Sequence, residues 1–376
     1  MPISQEEAFA RIRLLRSPNV GPVGFRQLLA RFGNASAALD ALPDMAARGG
    51  GKQQPASEAL VREEVAAVRA AGARYLFHDD PAFPALLVEM HNAPPILTIR
   101  GDLALLHKPA VAIVGARNAS AAAISLARQF GRELAQQGRL VVSGLARGID
   151  AAAHEGALAA KEGGGATAAV IASGIDVTYP PEHADLQERI AAEGLLIAEQ
   201  PAGTQPQARH FPSRNRIIAG MAAGTVVVEA APKSGSLITA RIAADAGREV
   251  MAVPGNPRDA RARGCNYLIR EGAVLVQGAD DIAELLDSFE GAPRSRFREE
   301  TPVFAHLPRE DGMDGLGEGS DEPAADIAAL ISAAPVSVDE LIRTSGAAPA
   351  AVQLALLEME LAGRIQRHAG GRVSLA

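Results

Sequence analysis

Four short stretches of the chain concentrate small residues, hydroxyls and cations in the pattern an anion site needs. GARNAS carries Gly115, Arg117 and Ser120. SGLARGID carries Ser143, Gly144, Arg147 and Gly148. RHFPSRNRIIAG carries Arg209, Phe211, Arg214 and Arg216, with Ser213 placed to cap a helix holding the two later arginines. PKSGSLITA carries Lys233, Ser234, Gly235 and Ser236. Small residues let an anion approach backbone N–H groups, hydroxyls donate to its oxygens, and the cation supplies charge. One such turn is ordinary in an α/β protein. Repetition of cations over several turns suits a polymer of phosphates better than a single mononucleotide. Phe211 lies between basic residues in a chain with only 3% aromatics, and its ring either stacks on an exposed base or anchors the loop to the core. Base stacking is worth about 1–3 kcal/mol and needs no sequence code.

These turns must be held by something. From residue 110 onward, the runs VAIVG, RLVVSG, ATAAVIAS, GLLIAEQ, TVVVEA, EVMAVPG and AVLVQG alternate with helical patterns. β-Branched runs without polar alternation are strands buried on both faces of a parallel sheet. The spacing therefore predicts a doubly wound α/β domain, in which ligands bind beyond the carboxyl ends of the strands. GARNAS, SGLARGID and PKSGS each follow a strand, where a helix start offers unpaired N–H groups and partial positive charge.

The flanks read differently. Ser4 with Glu7 is a capping box opening a helix to about Arg16. SPNVGPVGFRQLLARFG is a helix–turn–helix with a glycine hairpin, residues 45–56 form a loop, and a helix covers about 57–71. Two short strands follow, around Arg74–Phe77 and Ile96–Arg100. Residues 288–324, rich in charge, Gly and Pro, read as a linker. Residues 325–376 give three short helices and a hairpin around Gly370–Gly371.

Bulk composition narrows the classes. A chain of 376 residues suits two or three domains. Its net charge of −7 means that any anion site is a local concentration of cations. The single Cys265 forms no internal disulfide and no cysteine-based zinc site. No apolar stretch approaches the roughly 20 residues of a membrane span, and the first residues lack a signal-peptide pattern, so a cytoplasmic protein is expected. There is no phosphate-binding loop of NTPase type, no HExxH and no nucleophile elbow. Neither a metal nor a cofactor is expected. Asp150 reads as a helix N-cap, Glu229 as a rim or ion-pair residue, and His154 and His210 as satisfied polar groups. The reading these residues favour is a binding surface without catalytic residues. Two enzymatic readings stand beside it. A phosphoribohydrolase-like nucleotide enzyme would need a catalytic Glu on the helix after the glycine loop, and PKSGSLITARIA has none in its first turns. A dinucleotide oxidoreductase would need more glycines than GARNAS holds.

IVGARNAS, VSGLARGIDAAAHEGAL, SGIDVTYPPEH, FPSRNRIIAG, VVVEAAPKSGSLITARIA and VPGNPRDARARGCNYLIREGA occur in order, after PAFPALLVEMHNAPPILTIRGDL. Over about residues 75–280 the chain thereby resembles the DNA processing protein A family (DprA, also called Smf). The resemblance implies an extended Rossmann domain, a mainly parallel doubly wound sheet, over 73–287. It implies a small helical N-terminal domain over 1–72, helix-hairpin-helix-like or sterile-alpha-motif-like, and a winged helix over 325–376. It further implies sequence-independent binding of single-stranded DNA, delivery of the RecA recombinase to incoming strands in natural transformation, and a homodimer formed through the Rossmann domain. By motif position Arg117 lies in the phosphate-holding turn, Phe211 in the base-contacting segment, and Lys233, Ser234 and Ser236 in the KSGS loop. Ala116 stands where the family often has serine, and Gln200 where tyrosine is usual.

At the two ends the reading stays divided. The NVGPVGF hairpin either donates N–H groups to a phosphate or packs the helices. The third C-terminal helix, PAAVQLALLEMELAG, has no Lys or Arg, and Arg364, Arg367 and Arg372 fall on the wing. That pattern favours protein contact over duplex reading.

Overall fold

A computed structural model describes residues 3–160, 164–289, 324–368 and 370–376, with the backbone alone for 324–326. The described residues of 1–62 and 302–376 form one compact unit, and those of 63–301 a second. The expected linker lies outside the described residues from 290 to 323.

The terminal unit starts with α1 (Gln5–Arg16), α2 (Pro22–Phe32) and α3 (Ala35–Arg48). Ser4 caps α1 by accepting the Glu7 N–H at 3.1 Å. The Glu7 carboxylate does not complete a capping box. It accepts from the Ala35 N–H and from Arg11, and so ties the start of α3 to α1. The loop expected over 45–56 begins only at Gly49. Met45 and Ala46 stay helical because they fill the cluster around Leu14, Phe25 and Leu42. α4 (Glu58–Ala70) begins in this unit and ends in the next.

The second unit runs β1 (Arg74–Phe77), α5 (Ala85–Val88), β2 (Ile96–Gly101), β3 (Ala110–Val114), α6 (Ala121–Gln136), β4 (Leu140–Ser143), α7 (Ile149–Leu158) and β5 (Ala166–Ile171). It continues with α8 (Ala184–Glu193), β6 (Leu195–Ala198), α9 (His210–Met221), β7 (Gly224–Val227), α10 (Gly235–Asp245), β8 (Glu249–Ala252), α11 (Arg263–Arg270), β9 (Val274–Leu275) and α12 (Ala279–Asp287). Among the described residues these strands make one sheet in the order β1-β2-β6-β5-β4-β3-β7-β8-β9. The neighbours from β6 through β9 are parallel, while β1 and β2 add an antiparallel edge on β6.

Alternate residues of each central strand enter different cores. Ala112, Val142 and Val227 face one cluster, and Val111, Val141 and Val226 the other. Both faces are therefore dry, which is why each strand reads as an unbroken apolar run. The strand order reverses at β3, which has β4 on one side and β7 on the other. The crevice of a doubly wound sheet opens at that point.

After α12 the terminal unit resumes with α13 (Ala324–Leu330), β10 (Val336–Ser337), α14 (Val338–Ser345), α15 (Pro349–Leu361), β11 (Ile365–His368) and β12 (Arg372–Leu375). The strands order as β10-β12-β11, three helices with a hairpin wing.

Candidate nucleic-acid interface

The loops after β3, β4 and β7 meet at the reversal point and hold one another. A Cβ on Gly115 would fall 2.6 Å from Ile149 Cγ1 and 3.0 Å from Glu229 O. Gly148 has φ 73°, and a side chain there would run into Ala116 O and Arg117 O. The Ile149 N–H donates to Ala116 O at 3.3 Å. From the β7 side, Glu229 accepts from the Ser120 N–H at 3.1 Å and from the Ser120 hydroxyl at 2.6 Å. The turn carrying Arg117 is thus clamped between the start of α7 and the end of β7. In the third loop Ser234 caps α10, and the exposed Lys233 before it sits at φ 69°. A non-glycine residue in that region costs of order 1–2 kcal/mol, and such strain collects at ligand sites.

α9 starts at His210, earlier than a Ser213 cap would place it. Ser213 is inside the helix and donates back to Arg209 O at 3.4 Å. Phe211 therefore stands in the first turn. Its ring carries the Arg117 guanidinium at 4.9 Å and that of Arg214 at 6.0 Å, and meets the Tyr179 ring edge-to-face at 6.0 Å. Arg117 itself is exposed and makes no ion pair among the described residues.

Below this layer the charges are paired. Arg214 is 6% exposed and lies 3.9 Å from Asp150. Any side chain on Gly144 would overlap its guanidinium, so that glycine makes room for Arg214. Burial pushes the Arg214 pKa down to about 10, Asp150 opposes the drop and Arg117 adds to it, so Arg214 stays charged at neutral pH. Burial likewise raises the Asp150 carboxyl, against the pull of Arg214. Asp150 is not the N-cap of α7; Gly148 is, and Asp150 lies in the first turn, accepting from the Ala146 N–H at 3.3 Å. His154 accepts from the Leu145 N–H at 3.3 Å, and its other ring nitrogen lies 2.7 Å from the Thr167 hydroxyl. Its burial depresses its pKa to about 3. His210 accepts from the Gln207 N–H.

Arg117, Phe211 and Arg214 thus come together, with Ser120, Gly115 and Gly144 shaping their support. Lys233, Ser234, Gly235 and Ser236 form the neighbouring loop, where a Cβ on Gly235 would meet nothing within 4 Å. Other sequence candidates are committed elsewhere. Arg216 is 8% exposed and paired with Glu199. The buried Ser143 hydroxyl donates to Ile113 O at 2.6 Å. Ser236 is buried beside Ser234. The Ser120 hydroxyl is taken by Glu229. Arg147 is exposed but paired with Glu182.

Tyr179, in SGIDVTYPPEH, has no strand-loop cation beside it that would mark it in the sequence. The loop between β8 and α11 carries exposed Arg258 and Arg261, which the sequence reading does not single out. There Asp259 binds Arg261, and Asn266 holds both backbone groups of Gly255.

The surface so built can bind anions and stack on planar rings. The first turn of α10 holds no acid, and no group of three or more His, Cys, Asp or Glu among the described residues is placed to hold a metal. No helix of the described residues is long and apolar enough to cross a membrane.

The terminal unit uses its charges internally. Glu358 on α15 binds Arg48 at 2.6 Å, and Glu360 binds Arg367 at 2.7 Å. Leu357 and Leu361 enter the cluster of α1–α3. The hairpin glycines Gly21 and Gly24 face Glu360 and Leu357, and a side chain on Gly49 would collide with Glu358 O. Of the wing arginines, Arg367 is half-buried against Glu360, Arg364 is exposed but donates to Gly49 O at 3.4 Å, and Arg372 is exposed.

Comparison with known proteins gives three family matches in order along the chain. Residues 74–287 match the DNA recombination-mediator protein A family model, residues 5–67 the DprA-like N-terminal HHH domain, and residues 314–371 the DprA winged helix domain. Protein Smf of Synechocystis is 35% identical over 80% of this chain and 79% of its own length. DNA processing protein DprA of Streptococcus pneumoniae is 44% identical over 54% of this chain and 71% of its own. Among solved structures, DNA processing protein A from S. pneumoniae superposes with a TM-score of 0.62 at 35% identity, covering 77% of this chain and 99% of that one. DNA processing protein A from Helicobacter pylori, described for its single-stranded DNA binding mode, superposes with a TM-score of 0.52 at 28% identity, covering 58% and 99%.

Proposed function

We propose a function from this premise: the chain belongs to the DNA recombination-mediator protein A family. Within that DNA-processing role, it is a non-catalytic, sequence-independent binder of single-stranded DNA. The observation carrying this reading is Arg117, exposed and without an ion pair among the described residues, over the Phe211 ring on a turn clamped between two neighbouring loops. An uncompensated cation beside an aromatic ring suits a phosphate followed by an unstacked base. The exposed Lys233 on the next loop offers a second phosphate contact, and Arg258 a third. Family membership supports the wider role, which is to protect incoming strands and load RecA in the cytoplasm during natural transformation. A homodimer through the Rossmann unit fits its open edge, where the last strand, β9, exposes Leu275 and the adjoining α11 exposes Tyr267.

The test is a binding series with single-stranded, duplex and mononucleotide ligands across salt concentrations. With about three phosphate contacts, each releasing about 0.7 counterion on a single strand, the log–log salt slope is near −2. Affinity independent of salt, or preference for the mononucleotide, overturns the reading. Sedimentation checks the dimer, and RecA filament growth on single strands, with and without the protein, checks loading.

A further inference from the structure

We infer that Tyr179 is a base-stacking platform, and that an unpaired base lodges on its ring before any base reaches Phe211. The inference rests on the single-strand reading above.

Phe211 is not an open surface. Arg117 lies over its ring at 4.9 Å and Arg214 at 6.0 Å, and Arg214 is fixed by burial and by Asp150. A base can take that ring only after Arg117 moves away. Tyr179 touches the Phe211 ring edge-to-face, at an interplanar angle of 61°. Among the described residues no arginine lies over the Tyr179 ring, and it is 42% exposed. Its hydroxyl makes no hydrogen bond among the described residues. Apart from that edge contact, no other hydrogen bond, ion pair or ring contact engages this ring among the described residues, yet the segment presenting it is firmly built. Ile175 is buried, the Ser173 hydroxyl donates to Val177 O at 3.0 Å, and the Gly174 N–H donates to Thr204 O at 2.9 Å. The Gly203 N–H donates to Asp176 at 2.7 Å. That segment leaves the carboxyl end of β5, on the same edge of the sheet as the loops carrying Arg117 and Lys233. A flat apolar face held rigidly beside a cation–aromatic pair fits a nucleobase, because stacking needs a π-face and no hydrogen-bond code.

The chain supplies its own reporter. It has no Trp and three Tyr. Tyr75 is hydrogen-bonded to Glu64 at 3.0 Å, and Tyr267 stands on α11 beside Arg270. Tyrosine emission of the full chain is followed during titration with oligodeoxythymidine and with an abasic oligomer of equal length. The base-bearing strand is expected to quench emission, and the quenching is expected to vanish in Tyr179→Phe and persist in Tyr267→Phe. Tyr179→Ala should bind the base-bearing strand about 5- to 150-fold more weakly, the range that stacking spans, with an unaltered salt slope. Tyr179→Phe should restore that loss. The abasic oligomer should not distinguish Tyr179→Ala from the parent. Quenching that survives Tyr179→Phe, or an undiminished affinity in Tyr179→Ala, overturns the assignment while leaving single-strand binding intact. Failure of the parent chain to bind either oligomer removes the underlying reading and this one together.

Discussion

Two parts of the molecule hold exposed arginines, and they use them in different ways. At the carboxyl edge of the sheet, Arg117 and Lys233 are exposed, with no acid bound to them among the described residues. In the terminal unit, Arg48 and Arg367 are bound by Glu358 and Glu360, and Arg364 reaches a backbone carbonyl. The difference lies in what surrounds the charge. Around Arg117 the nearest acids sit below the surface, Asp150 under Arg214 and Glu229 bound to Ser120, while the exposed Glu182 is taken by Arg147. In the terminal unit the acids belong to α15 itself and face the cations directly. A count of arginines therefore does not measure binding charge. What remains after internal pairing does, since an exposed paired cation is largely neutralised before any ligand arrives.

The contrast can be broken at its base. Gly148→Ala forces a side chain against Ala116 O and Arg117 O at φ 73°. Urea unfolding should show a loss of about 2–3 kcal/mol, with single-strand binding lost in the fraction that remains folded. Unchanged stability would mean that the clamp between the loops is not what fixes the Arg117 turn. Next in size, Arg117→Ala should weaken single-strand binding about 10- to 100-fold for every sequence and make the salt slope shallower by about 0.7. An effect confined to particular sequences would point to base reading instead.

The layer under the edge has its own pH signature. The folded-state pKa of His154 is depressed from 6.5 to about 3. Its stabilising contribution is therefore full above about pH 6.5 and is lost as pH falls towards 3. The loss is about 1.4 kcal/mol per pH unit, or about 2 kcal/mol between pH 6.5 and 5. His154→Gln should flatten that part of the stability profile, and equal slopes in the two proteins would contradict the buried neutral ring. Smaller again, Lys233→Ala should cost roughly fivefold in single-strand affinity, with the same fall in salt slope as Arg117→Ala. In the terminal unit, Arg48→Ala should lower thermal stability by about 1 kcal/mol and leave single-strand affinity unchanged. If affinity fell as well, the terminal unit would share in holding DNA and the contrast would collapse.

Much of the scaffold was legible residue by residue. VAIVG and TVVVEA announce β3 and β7 because burial on both faces removes polar alternation, and Ser4 announces its cap because the geometry is local. α3 was harder to read. The Ala-rich stretch from 35 to 48 looks like a loop near its end until Met45 and Ala46 are seen inside a core built partly from α1 and α2. In the site, Arg117 and Lys233 were found by their position after strands. Arg214 and Arg216 could not be told from them. They lie two residues apart on a helix, face different directions, and meet acids from distant segments, Asp150 and Glu199. Tyr179 escaped because its meaning depends on Phe211 beside it.

Short-range chemistry was written along the chain: strands from burial on two sides, turns from glycine and hydroxyl spacing, and the family from long motifs in register. Folding in three dimensions chose which charges stay free. Ion pairing and desolvation act across tens of residues, and one angstrom of approach or a few square angstroms of cover settles whether a guanidinium faces a phosphate or an internal carboxylate.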